Sequence, residues 1–513
     1  MTTRHGFGAK VAAIIVLIAL ADTLAFDGWG AIPGIFAVAW SIVLLMTVKP
    51  FRHRAGLAAS VAAVSFAVIL LEDPSLLAWT MFWTSLSLAA LLTRHRFDDA
   101  WRWTQRLVLH IVCGIVTPFR DIRRLASVRR PAGRLDVPAI AKTLVIPVIG
   151  SVLFFTLFAG ANPLIGAALA RLELPSFAIL LFHALLWVFV MFVVWPSLRP
   201  HPRATRLPLL RPAPRITDLP VGTLILSLIA FNLVFALQNG LDLAFLWSGA
   251  ELPKGVSTVE YVHRGAYTLI ATAILAGLFV LIALRPDSAA ARSPVVRRLL
   301  VIWVAQNFIL VASSVLRVLD YIETSMLTVL RISALAWMGL VATGLALICW
   351  RLLANRSSAW LINANALAAT IVLTTASVVD LGAGAADWNV RHARTGKHLD
   401  LCYLRELGPS ALLPLIALER RATGAAFKDR VAFVREQAYD KLSFAQSTPK
   451  LATWRGARRL ETAKRLLGPT RLKSRGSSVG RSCDGTIIPP PPAPPPPPAA
   501  VQTTAPLTSA TEQ

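Results

Sequence analysis

Apolar runs long enough to cross a bilayer recur along this chain, near residues 8–26, 30–48, 55–71, 74–92, 137–159, 175–196, 219–238, 265–284, 298–316, 325–350 and 359–379. Polar stretches separate them. A bilayer interior offers no water to the backbone, so each run reads as a helix that satisfies its own amides and carbonyls. The pattern predicts an all-α, polytopic transmembrane bundle of about 11 spans. Trp79, Trp187, Trp195, Trp247, Trp303 and Trp350 lie near the ends of runs, where the membrane interface favours amphipathic rings.

The polar stretches carry patterns of their own. Between residues 97 and 135 the apolar positions Trp101, Trp103, Leu107, Val108, Ile111 and Val112 recur at nearly helical spacing among arginines. That segment predicts an amphipathic helix on the inner membrane surface, its arginines facing anionic lipid, with a solvated helix as the alternative. Beyond the last run, Leu399, Leu401, Leu404, Leu407, Leu412, Leu413 and Leu415 predict two short helices broken at Gly408-Pro409, and residues 431–442 suggest a third. From Leu472 onward Gly, Ser and Arg dominate, and residues 489–498 are nearly pure proline, which predicts a disordered tail serving as a spacer or as a ligand for a partner. The chain thus divides into four spans (1–92), a basic amphipathic segment (93–136), seven further spans (137–379), a helical extramembrane segment (380–471) and the proline-rich tail (472–513).

Charge gives the pattern a direction. There are 52 Lys and Arg against 27 Asp and Glu, a net +25, while only 15% of residues are charged and the hydrophobic share is 55%. On a soluble protein this excess would suggest nucleic acid, but no base-reading motif is present, so nucleic-acid binding is set aside. The arginines gather instead at residues 49–54, 94–134, 199–215, 285–298 and 351–356, alternating with loops poor in Lys and Arg. By the positive-inside rule the basic set is cytoplasmic and the N-terminus lies inside a bacterial inner membrane. An odd number of spans then puts the C-terminal tail outside. Arg4, His5 and Lys10 before the first run resemble the start of a signal peptide, but the many spans that follow favour an uncleaved helix.

No pair among Cys113, Cys349, Cys402 and Cys483 has the spacing of a zinc or redox site. Cys113 and Cys349 read as small buried hydrophobes; Cys402 and Cys483 are free to pair if their segment faces an oxidising compartment. Phosphate-binding glycine loops, zinc-protease motifs and nucleophile elbows are missing, and nothing implies a cofactor or a metal.

Candidate chemistry gathers on one predicted side, the outer one. His263 and Arg264 open the eighth run, Arg317, Asp320 and Glu323 close the ninth, Arg331 sits just inside the tenth, and Asn389 and His392 follow the last. Charged groups near a bilayer are costly, so they mark either a binding site or a structural pair. Arg317, Asp320 and Glu323 are spaced three apart, which on a helix makes neighbours. The set reads as a binding cluster for an anionic or zwitterionic group, or as a salt-bridge network joining helix ends. Asn232, Gln238, Gln306 and Asn307 lie within runs and read as interhelical hydrogen-bond glue, with a transport path as the alternative.

The same residues carry a resemblance. Gly160-Ala-Asn-Pro-Leu164, Tyr261-Val-His-Arg-Gly-Ala-Tyr267, Leu316-Arg-Val-Leu-Asp-Tyr-Ile-Glu323, Leu330-Arg-Ile-Ser-Ala-Leu-Ala-Trp-Met338, Asn389-Val-Arg-His-Ala-Arg-Thr-Gly396 and Leu399-Asp-Leu-Cys-Tyr-Leu404 resemble landmarks of a bacterial membrane-protein family catalogued as domain of unknown function 4173, related to domain of unknown function 4153. The resemblance implies a polytopic architecture and no activity. Two readings follow. The first is a non-enzymatic transport, sensing or scaffolding component whose partners are membrane lipids and an envelope ligand or protein. The second is an enzyme acting on lipid or a lipid-linked substrate, with Asp320 or Glu323 as base and Arg264 or Arg331 holding a phosphate. The first is preferred, since it requires only packing and ion pairs.

Overall fold

The computed structural model describes residues 2–24, 30–48, 53–93, 96–127, 177–202, 220–247, 293–354, 356–393, 399–468 and 480–488, with isolated positions between 143 and 154 and at 204 and 275. Among these residues the fold is helical apart from one isolated antiparallel bridge between Arg481 and Ile487. The first part comprises α1 (Thr2–Leu24), α2 (Ile32–Val48), α3 (Arg54–Glu72), α4 (Leu76–Leu91), α5 (Ala100–Ser127) and α6 (Phe177–Leu198). The second comprises α7 (Val221–Asp242), continued by a π-helical turn (Leu243–Trp247), then α8 (Pro294–Ser325), α9 (Val329–Leu353) and α10 (Ser358–Val378). A domain of shorter helices follows: α11 (Leu381–His392), α12 (Leu401–Glu406), a 3-10 turn (Gly408–Ala411), α13 (Leu412–Arg421), α14 (Ala425–Ser447) and α15 (Trp454–Leu467).

Among the described residues seven helices are long and apolar enough to cross a membrane: α1, α3 and α6 to α10. The apolar helices α2 and α4 are shorter. Nine of the predicted runs therefore coincide with apolar helices, while the runs at 137–159 and 265–284 lie, isolated positions apart, outside the described residues. Side-chain caps set several starts: Ser75, Thr328, Ser357, Asp380, Asp400 and Thr453 each accept from an amide three residues on.

The buried side chains form separate cores. One, centred on Leu17, Trp40, Leu70, Phe82 and Val194, joins α1 to α4 with α6. Another, around Leu228, Leu300, Trp303, Leu345 and Leu361, joins α7 to α10. The C-terminal domain has its own core of Leu404, Leu412, Leu415, Val434 and Leu442. Within it the Arg435 guanidinium donates to the Glu419 carboxylate at 2.9 Å, both side chains buried, so the charges neutralise each other where water is excluded.

Contacts between helix ends give each helix a direction. Lys10 Nζ reaches the Leu198 carbonyl at 2.6 Å while Asp22 meets His183, so α1 and α6 are antiparallel. Helix α7 runs parallel to α8, since Asn232 meets the Leu299 carbonyl, Asn239 meets the Gln306 carbonyl and Asp242 meets Arg317.

Helix α5 lies across one end of the bundle. Its first amide, on Ala100, donates to Asn363 at the start of α10, Trp103 packs on Leu91 and Leu92, and Asp121 accepts from Trp195 near the end of α6. Its apolar residues Val108, Ile111, Val112, Ile115 and Phe119 point outward, whereas His110, Thr117 and Asp121 are buried against the bundle. The helical periodicity read from the sequence is observed. Arg102 and Arg106 pair with Asp98, and Arg120 with Asp121. An outward apolar stripe fits hydrocarbon better than water.

The C-terminal domain sits at the opposite end. Gly30 and Ala31 donate to the Lys450 and Ala452 carbonyls, each at 2.9 Å. A side chain at Gly30 would overlap the Leu451 main chain, so glycine is what allows this approach. Gly30→Val is expected to loosen the domain without unfolding the bundle, at a cost of roughly 1–3 kcal/mol. Limited proteolysis checks this: the variant should release an α12–α15 fragment at lower protease concentration, and an unchanged digest would refute the role.

Candidate functional site

Two of the eight predicted cluster residues, Arg331 and Asn389, meet at one turn, residues 326–328, between α8 and α9. Met326 takes a positive φ of 76° there, unusual for a residue with a side chain. The turn's polar groups are met from several directions. Asn389 on α11 accepts from the Leu327 amide and donates to the Leu327 carbonyl, both at 2.8 Å. The Tyr403 hydroxyl accepts from the Val329 amide at 2.9 Å, and the Asp400 amide donates to Met326 Sδ at 3.2 Å. Arg331 donates to the Ser325 carbonyl at 2.8 Å and to that of Met326, and its guanidinium lies 4.0 Å over the Tyr321 ring. This contact is a clamp: side chains of the domain satisfy the main chain of a helix hairpin.

The other cluster residues do not converge. Arg317 does not pair with Asp320 as their spacing predicts. It lies on the buried face of α8 with Ser313, Ser314 and Val318 and pairs across to Asp242 at the end of α7. Asp320 and Glu323 occupy the exposed face and form no ion pair among the described residues. His392 stacks on Trp388, ring centres 4.1 Å apart, at an exposed corner. His263 and Arg264 lie outside the described residues. The sequence reading missed Asp242 because it assigned that residue to a loop.

From Asp242 a polar seam extends along α7 and α8. Gln238 donates to Asp242 at 3.1 Å, Asn239 to the Gln306 carbonyl at 3.1 Å, and Gln306 to Asn232 Oδ1 at 3.1 Å. Trp247, in the π-helical turn, donates to Ser313 at 3.2 Å. Of the glue read from Asn232, Gln238, Gln306 and Asn307, Asn232 and Gln306 bond across the two helices, whereas Gln238 bonds to Asp242 and Asn307 to the Trp303 carbonyl within their own helices. A second intramembrane pair escaped the sequence reading. His183 Nδ1 lies 2.5 Å from Asp22, whose carboxylate also accepts from Trp187 at 2.8 Å. A carboxylate and an imidazole inside apolar runs were the available signal, but their separation in sequence hid the pairing.

Where the domain meets α3 and α10, charges interlock. Arg455 pairs with Asp73 at 2.7 Å and donates to the Val378 carbonyl at 2.7 Å; Arg458 pairs with Glu72 and Arg459 with Asp380. Burial pushes the Asp73 carboxyl above its usual range despite Arg455. Burial acts the same way on Asp380, but the Ala383 amide, Arg459 and Ser410 outweigh it and hold that carboxyl below its usual range. A lowered carboxylate contributes stability that is present above its unfolded value and lost as pH falls through the folded one. The Asp380 contribution should therefore be full above about pH 4 and disappear below it. Asp73 acts in the opposite sense, favouring the protonated folded form as pH falls. Acid undocking followed by Trp454 fluorescence should lose its lowest-pH component in Asp380→Asn; a transition unchanged by that substitution would contradict the assignment.

The domain is also closed covalently. Cys402 on α12 and Cys483 form a disulfide, their Cα atoms 4.9 Å apart. Around it Arg430 pairs with Asp484, and Arg481 with Asp429 at 2.7 Å. Residues 480–488, which the sequence assigns to the disordered tail, thus pack on α14 as a pinned turn. Cys113 and Cys349 are free thiols, each half-buried, as expected of small hydrophobes.

The family model described as Domain of unknown function (DUF4153) matches residues 55–418, from the start of α3 into α13. The chain belongs to that family. No curated protein and no solved structure matches it. The DUF4153 region contains Arg331, Asn389 and Tyr403, so the whole clamp on the 326–328 turn lies inside it. It also contains Cys402 but stops before Cys483, and the disulfide therefore joins the DUF4153 region to sequence beyond it.

Proposed function

We propose that this DUF4153 protein is a multi-pass inner-membrane component without catalytic activity, a scaffold, sensor or transport subunit that presents its C-terminal domain outside the cytoplasm. The observation that carries this reading is the clamp at the 326–328 turn. Arg331 and Asn389, candidates for ligand binding, spend their polar atoms on main-chain groups of the hairpin. Arg317 is engaged with Asp242. The lipid-enzyme reading gives the phosphate to Arg264 or Arg331; Arg331 is already occupied, and Arg264 lies outside the described residues.

Two further features support the orientation. The Cys402–Cys483 disulfide suits an oxidising compartment, and Lys10, Arg199 and Arg351 lie at the end away from the domain. Helix directions also call for a return crossing between α5 and α6 and another between α7 and α8. The apolar runs at 137–159 and 265–284 would supply them, giving eleven spans and a C-terminus outside. The motifs of domain of unknown function 4173 would then mark a subgroup close to this family.

Reporters active only outside the cytoplasm, fused after Asp387 and within residues 239–260, test the orientation. Activity at both is expected; silence after Asp387 would overturn it. Asp320→Asn tests the absence of catalysis. Because Asp320 forms no described ion pair, the variant should keep wild-type folded yield and wild-type complementation of any deletion phenotype. Normal yield with lost complementation would favour the enzyme.

A further inference from the structure

We propose that the seam between α7 and α8 is a hydrated polar track that binds hydrogen-bond donors, namely water and small donor cations. The argument rests on an imbalance. Every side-chain amide N–H group that anchors the seam has a partner: Asn232 Nδ2 donates to the Leu228 and Leu299 carbonyls, Asn239 Nδ2 to Gln306 O, Gln306 Nε2 to Asn232 Oδ1, and Asn307 Nδ2 to Trp303 O. Of the four amide oxygens, Asn232 Oδ1 accepts from Gln306 and the other three have no donor among the described residues. These three, Asn239 Oδ1, Gln306 Oε1 and Asn307 Oδ1, are buried.

Reversing the amides does not remove the imbalance. Asn232, Asn239 and Asn307 each aim nitrogen at a main-chain carbonyl, so a flip would set oxygen against oxygen. Gln306 is fixed in turn by Asn232. Asn307 is 1% exposed and Asn239 7% exposed, so bulk solvent does not satisfy them at the surface. Buried amide acceptors in an apolar setting call for a donor, and a polar site with several partners is where water enters a protein interior.

The three unmatched acceptors lie at one level, where Asn239 meets Gln306 and its neighbour Asn307. From Asn232 to Asp242 the seam rises about 15 Å along α7. It ends at the Asp242–Arg317 pair, beside the π-helical turn that holds Trp247 against Ser313. Turns of that kind are uncommon and concentrate at functional sites. Three unmatched acceptors at one level select a ligand that donates hydrogen bonds. Dry packing of α7 on α8 would need only the bonds already made and leaves the three oxygens without a donor among the described residues.

Cysteine accessibility tests this. In a Cys113→Ser, Cys349→Ser background, Asn239→Cys and Asn307→Cys would be reconstituted in proteoliposomes and exposed on both faces to a positively charged methanethiosulfonate reagent. Ile309→Cys, on the lipid-exposed face, and Ser325→Cys, at the exposed helix end, serve as controls. Modification at position 239 or 307 at least ten times faster than at 309 is expected. Reaction at 325 with none at 239 or 307, in variants that elute as folded protein, would overturn the track. Slowing by methylammonium chloride but not by equal sodium chloride would identify a donor cation as occupant, and unslowed reaction would identify water.

Discussion

Asp242→Leu is expected to destabilise the bundle strongly. It leaves the Arg317 guanidinium buried, at 6% side-chain exposure, without its carboxylate. Breaking a buried pair from one side costs roughly 3–5 kcal/mol, because the remaining charge keeps its desolvation penalty. Replacing both partners removes the charge together with its cost. The double variant Asp242→Leu/Arg317→Leu should therefore regain most of the lost stability. Thermal midpoints from fluorescence-detected size exclusion in detergent give the comparison. A double variant no more stable than Asp242→Leu would mean that the pair is not the source of the loss.

The second large effect is expected at Cys402–Cys483. The bridge joins positions 81 residues apart, and the chain-entropy argument gives about 4–5 kcal/mol for closing a loop of that size. Cys402→Ser should destabilise the domain by up to that amount and release residues 480–488 from α14. The bundle cores share no side chains with the domain core and should melt as before. Differential alkylation read by mass spectrometry checks the bond itself. Cys402 and Cys483 in protein taken from intact cells should resist alkylation until reductant is added, while Cys113 and Cys349 label at once on unfolding. Two reactive thiols before reduction would remove both the stabilisation and the argument for an oxidising compartment.

The sequence reveals the spans well because their signal is local: twenty or so apolar residues need no partner to be recognised. The break at Gly408-Pro409 is legible for the same reason, since Gly408 adopts a φ of 54° and Pro409 lacks an amide hydrogen. Pairing is less legible. The i, i+3 spacing of Arg317 and Asp320 suggested a bond, but α8 buries one and exposes the other, and only tertiary contact reveals Asp242 as the partner. Asn389 and Tyr403 were visible as motif residues, yet their task of holding a turn sixty and more residues earlier required the fold. Residues 480–488 read as tail because their composition is polar and glycine-bearing; a disulfide and two ion pairs order them instead.

Arg455 has one consequence for movement. Its guanidinium touches Asp73 at the end of α3 and the Val378 carbonyl at the end of α10, and so grips both packed groups of the bundle at once. Any rocking of α1–α4 and α6 against α7–α10 that opened this end would have to tear one of those bonds. The domain therefore acts as a fixed pin at this end, and relative movement of the two groups falls to the opposite mouth, where α5 lies across the gap among the described residues.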